Sequence, residues 1–251
     1  LGLGIYAGLF YPVVEANPAM KFDMHRMQLV VWANNAGSQA LSVGINSRYG
    51  SAADLKKAEG LKWGSTGARS SESFGAALIS ELLGLKDAKI VVGYVSSADV
   101  ALASAKGEVD GYIMSQMSMM QFAEQGLLKW PFIILGLERE AELPDVPALA
   151  ELAQLTPKQE SMLRLVAGIN EPGQILWFQP DVPRDRVEFV RAAVARIMAK
   201  ESYLAKAKTL WIPLVGPLLG RDLDVKMERI LSVATPANFE EVRRIVDKYI
   251  R

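Results

Sequence analysis

The chain has no cysteine and a single histidine, His25. These scarcities remove thiolate nucleophiles and Cys/His zinc sites, and any Ser-His-Asp arrangement would have to use that one imidazole. A cysteine-free chain suits the periplasm and the cytosol equally, so compartment cannot be read from disulfides. Charge of one sign is also missing: 28 Lys plus Arg balance 28 Asp plus Glu. No electrostatic footprint for nucleic acid or an anionic membrane results. No apolar run reaches the ~20 residues of a membrane span. The opening "LGLGIYAGLFYPVV" is broken by Gly and Pro. It reads as a buried helix or the entry segment of a domain, with the remnant of a signal sequence as the alternative. Its glycine spacing misses the dinucleotide fingerprint by one residue, and no strand precedes it.

What is present is enough apolar material for a sizeable core: half of the 251 residues are hydrophobic, which suits one large domain or two lobes. "MQLVVWA" reads as a strand and "ALSVGI", after the turn signal "NNAGSQ", as its partner. "SAADLKKA" follows as a helix with Ser51 at its N-cap. Three strand-then-helix units come next: "LKWGS" into "SESFGAALISELLG", "KIVVGY" into "SADVALASAKG", and "VDGYIM" into "QMSMMQFAEQG". This alternation predicts a mostly parallel sheet covered by helices on both faces. "WPFIIL" and "QILWFQ" are further strand candidates. "TPKQ" opens a helix with Thr156 as N-cap, Pro157 at the first helical position and Gln159 closing a capping box. From Asp185 onward the chain reads as largely helical, ending in the amphipathic "TPANFEEVRRIVDKYI".

In an open parallel sheet, ligands bind beyond the carboxyl ends of the strands. Thr66, Gly67, Ala68, Arg69, Ser70 and Ser71 occupy that place after the first unit's strand. Gly67 permits close backbone approach, the hydroxyls donate, and the helix N-terminus favours negative charge. The loop has the chemistry of a carboxylate cradle. Taken alone it reads more readily as a solvated loop with a Ser N-cap, and Glu72 would repel a bound anion if it pointed inward. The second unit ends in Tyr94, Val95, Ser96 and Ser97 and the third in Ser115 and Gln116, so three successive strands bring donors to one sheet edge. Asp110 lies at the opposite end of its strand and reads as structural, satisfying backbone donors in the turn.

The succession "DLKKAEGLKWGSTGARSSESFGAALISELLG", "KIVVGYVSSADVALASAKGEVDG" and "ELPDVPALAEL" resembles the substrate-binding receptors of tripartite tricarboxylate transporters, the TctC or Bug-type proteins. The match runs from about Phe22 to the C-terminus. The resemblance implies an α/β, two-lobed periplasmic-binding-protein architecture of type II, with mostly parallel sheets flanked by helices. The first lobe is expected over 1–46 plus 172–251 and the second over 47–171, with chain crossings near Ile45 to Ser47 and Gly168 to Gln174. It further implies a monomeric periplasmic receptor that captures a small carboxylated compound and delivers it to membrane permease subunits. The implied lining is Thr66, Gly67, Ala68, Ser70, Ser71, Tyr94, Ser96, Ser97 and Ser115, with no catalytic residue, metal, cofactor or nucleic-acid partner. The family's opening strand and Gly-rich loop have no counterpart before "LGLGIYAGLF", which reads as a missing first segment.

Two other classes fit the architecture less well. A regulator's effector-sensing domain would carry a basic helix-turn-helix at its N-terminus. A hydrolase would need a base beside a nucleophile, and no G-x-S-x-G occurs. His25, between Met24 and Arg26, is expected to have no chemical duty.

Overall fold

Two sheets organise the chain, and the computed structural model describes them through residues 2–5, 26–33, 37–171, 173–209 and 218–250. The strands are β1 (Gly2–Ile5), β2 (Gln28–Trp32), β3 (Gln39–Val43), β4 (Lys62–Ser65), β5 (Lys89–Val92), β6 (Gly111–Ser115), β7 (Ile133–Ile134), β8 (Gln174–Phe178) and β9 (Leu218–Leu219). The helices are α1 (Ala52–Lys57), α2 (Ser71–Leu83), α3 (Ser97–Lys106), α4 (Gln116–Glu124), α5 (Leu149–Leu152), α6 (Pro157–Asn170), α7 (Arg184–Met198), α8 (Glu201–Thr209), α9 (Gly220–Ser232) and α10 (Pro236–Tyr249). His25 lies outside the described residues.

The larger sheet has the order β5-β4-β6-β3-β7. Its β5, β4 and β6 are the strands of the three strand–helix units, and they pair in parallel as the alternation predicts. β3 and β7 run antiparallel to them. The smaller sheet has the order β1-β8-β2-β9, and its described pairs are all antiparallel, so the parallel arrangement does not extend to it.

Three expectations change here. β2 and β3 are not partners: β2 pairs with β8 and β9, while β3 pairs with β6 and β7. The reason lies in burial, since all five residues of β3 are buried. A strand covered on both faces belongs in the middle of a sheet rather than in a two-stranded hairpin. The chain therefore changes sheets between Trp32 and Gln39, ahead of the Ile45 to Ser47 position; the return falls between Asn170 and Gln174. Gly2–Ile5 is a strand rather than part of a helix and covers the edge of β8. The last helix, α10, expected with the first lobe, packs on α2 beside the larger sheet, where Lys248 and Tyr249 both donate to Glu81 at 2.6 and 2.8 Å.

Helix α2 is the hub of the main core. Eleven of its 13 residues are buried, the pattern of a helix covered on most sides rather than of a surface amphipath. Phe74, Leu78 and Ile79 pack with Trp63, Ile113 and Leu163 in one cluster. Gly75 lets the helix sit close to the sheet, because a Cβ there would lie 2.7 Å from Gln39 Oε1 and 2.8 Å from an Ile113 methyl. Ser70 caps its N-terminus and Gly84 its C-terminus in the left-handed conformation, at φ 65°, as glycine readily does. α6 opens with the capping box read from "TPKQ", Thr156 accepting from the Gln159 amide.

Candidate functional site

The site is built where β4 gives way to α2. Ser70 is the N-cap, its hydroxyl accepting from the Ser73 N–H, and this fixes how loop 66–70 turns. Ser73 Oγ lies 2.7 Å from the Gly67 carbonyl and 2.8 Å from Ser65 Oγ. Ser65 Oγ in turn lies 2.7 Å from Ser70 Oγ. The loop is thus held by hydroxyls facing inward rather than by contacts to solvent.

At the centre of those hydroxyls is the carboxylate of Glu72, only 6% exposed. Its Oε2 accepts from the Thr66 N–H at 2.9 Å, Thr66 Oγ1 at 2.6 Å and Ser70 Oγ at 3.0 Å, with Ser65 Oγ at 3.3 Å. Its Oε1 accepts from Ser97 Oγ, at the start of α3, at 3.3 Å. These donors do surround a carboxylate, and it is the protein's own. Gly67 does not aim its N–H outward, since that group turns back toward Ser65 Oγ at 3.4 Å. Its open flank is what gives it a role: a Cβ there would meet nothing within 4 Å.

Tyr112 on β6 registers the charge. It is fully buried, its hydroxyl donating to Met114 Sδ at 2.6 Å. Burial first, and then the Glu72 carboxylate, push its phenol well above its usual value. Tyr94, at the end of β5, lies against β4: a Cβ on Gly64 would sit 2.5 Å from Val100 and 3.6 Å from the Tyr94 ring. Burial, then Glu108, raise the Tyr94 phenol too.

Of the residues singled out in the sequence, Thr66, Ser70 and Ser97 converge on Glu72, Gly67 joins through its carbonyl, and Tyr94 flanks the strand end. Ser96 does not converge; it caps α3, bonding Asp99 at 2.8 Å. Ser115 bonds Ser118 at 3.0 Å within its own helix start. Ala68 and Ser71 are half-buried beside the network without joining it through their side chains. Asp110 accepts from the Lys62 N–H at 2.8 Å, the backbone role read from its position. Residues the sequence reading missed are Ser65 and Ser73, marked only by being small and polar inside an apolar pattern; Gln116, read as a donor at the sheet edge, is instead turned inward. Gln116 is 3% exposed, and its Oε1 has no hydrogen-bond partner. Among the described residues no cluster of His, Asp or Glu could hold a metal ion, and no helix is long and apolar enough to cross a membrane.

Comparison with known proteins agrees with this fold. The fold is similar to that of a TctC solute-binding protein from Polaromonas solved without ligand, at 16% identity and a TM-score of 0.64, over 96% of this chain and 75% of that one. An R. palustris protein with adipate matches at 18% identity and a TM-score of 0.63, over 94% of this chain and 76% of that one. MatC from Rhodopseudomonas palustris with bound malate matches at 17% and 0.60, over 97% and 78%. No curated protein matches by sequence. Residues 17–180, well over half the chain, match the Tripartite tricarboxylate transporter family receptor. The chain belongs to that family of receptors, which bind solutes rather than transform them.

Proposed function

We propose that this receptor works in the periplasm as a monomer, capturing a small carboxylated solute and presenting it to the permease subunits of a tripartite tricarboxylate-type transporter. The observation that carries the reading is the single sheet edge, within the 17–180 family match, where the ends of β4 and β5 bring Thr66, Ser70 and Ser97 together around one buried polar centre, with Tyr94 beside the end of β4. Hydroxyls at helix starts on a rigid parallel sheet are suited to orienting a small polar solute. Solved proteins of the same fold hold adipate and malate, which supports a carboxylate as part of the solute. The lining includes loop 66–71 and loop 94–97, with Ser115 at the rim. Closure of the two sheets' lobes over the solute follows from the two crossings of the chain between them.

A thermal-shift panel of mono-, di- and tricarboxylates and amino acids tests the reading. A specific solute stabilises by mass action, so the melting temperature rises with its concentration. The bound compound should be recovered chemically unchanged. A panel without any concentration-dependent hit, or a hit that is chemically converted, contradicts it.

A further inference from the structure

We infer that Glu72 sets the specificity of this site: the solute turns a protonated amino group, and not a carboxylate, toward loop 66–70. The inference rests on the receptor reading and narrows its solute class. Glu72 is nine-tenths buried, and none of the ion pairs among the described residues involves it. Buried charges are ordinarily paired, since taking an ion out of water costs several kcal/mol that hydroxyl donors only partly offset. The central donors of the loop are already committed to Glu72. Thr66 gives both its N–H and its hydroxyl to Oε2, and Ser70 adds a third bond. A carboxylate fixed on the first turn of α2 competes at the high effective concentration of an intramolecular group. A second carboxylate brought beside it would meet like charge in a poorly solvated place.

The unfilled capacity points the same way. Oε1 has one partner, the half-exposed Ser97, at 3.3 Å, although a carboxylate oxygen accepts two bonds readily. Gln116 begins α4 at the carboxyl end of β6, the strand beside β4, and its buried Oε1 is an acceptor lacking a donor. Two under-satisfied acceptors at the carboxyl ends of neighbouring strands are complementary to an ammonium group. The solute's carboxylate then belongs to another part of the cleft.

Matched pairs decide this. Succinate, glutarate and adipate are compared by calorimetry with 4-aminobutanoate, 5-aminopentanoate and 6-aminohexanoate, which replace one carboxylate by an ammonium at similar length. The wild-type chain should favour an amino acid over its matched dicarboxylate by about tenfold or more, and Glu72→Gln, which keeps the acceptor and removes the charge, should reverse that order. A wild-type chain that binds the dicarboxylate as tightly as its amino partner overturns the inference and leaves the receptor reading standing. This wild-type ranking decides the point even if the variant does not fold. Absence of binding by either protein to every compound in the pairs and in the wider panel would overturn the receptor reading along with it.

Discussion

Thr66 gives its backbone N–H and its side-chain hydroxyl to the same oxygen of Glu72, at 2.9 and 2.6 Å. A loop that a sequence offers as an anion cradle is in this way closed by a carboxylate six residues further on. If the solute faces this loop as proposed, the same contact joins stability to recognition, because Glu72 orders the loop.

Thr66→Val removes the hydroxyl at nearly constant volume and leaves the N–H bond in place. A hydrogen bond to a charged group contributes ~1.5–3 kcal/mol, and partial exposure of Thr66 lowers this toward ~1 kcal/mol. Differential scanning calorimetry should show a fall of about 2–4 °C, the shift expected per kcal/mol in a chain of this size. An unchanged melting temperature would mean that Glu72 is held without Thr66.

Trp63→Phe probes the core beneath the site. Trp63 Nε1 donates to Ser80 Oγ at 2.9 Å, with both residues buried. The variant leaves a cavity and an unpaired hydroxyl, and a loss of ~2–4 kcal/mol in urea unfolding is expected. A loss below ~1 kcal/mol would show that the site collapses around the smaller ring.

The fold was legible wherever the signal was local. Ser51, Thr156, Pro157 and Gly84 mark helix ends that the structure reproduces, and the three strand–helix units pair in parallel. What could not be read was long-range pairing: β3 follows β2 closely in the chain yet joins β6, more than 60 residues away, because burial on both faces outweighs proximity. Glu72 shows the same limit at the site. Its position in the first turn of α2 satisfied ordinary dipole capping, and nothing local specified whether the carboxylate would face solvent or Thr66 and Ser97.

Acid stability should carry the mark of two surface carboxylates. The Arg244 guanidinium beside Glu241 holds that carboxyl at about 2, against an ordinary value of 4.5. Arg139, with the Ala148 N–H, does the same for Glu151, also to about 2. A depressed folded-state value contributes stability that is present above the ordinary value and is lost as pH falls toward about 2. Urea midpoints should therefore drop between about pH 5 and pH 2. The drop should be smaller in Arg244→Gln, where Glu241 titrates nearer its ordinary value. Equal acid sensitivity in the two proteins would place the effect elsewhere.

Solute binding should compact the molecule, because the chain passes between the two sheets at 33–38 and again at 171–173. Small-angle scattering with a saturating panel hit should give a smaller radius of gyration than the free protein. Superimposable curves would indicate a rigid body.

The central claim, that loop 66–70 faces the solute, is tested most directly by calorimetric titration of Gly67→Val with the best panel hit. Gly67 has ordinary backbone geometry and nothing within 4 Å of a would-be Cβ, so the branched side chain can be accommodated without disturbing the core. The variant should fold with an unchanged melting temperature and bind with an affinity reduced by at least about tenfold, ~1.4 kcal/mol. A folded variant that binds as tightly as the wild-type chain would contradict that claim.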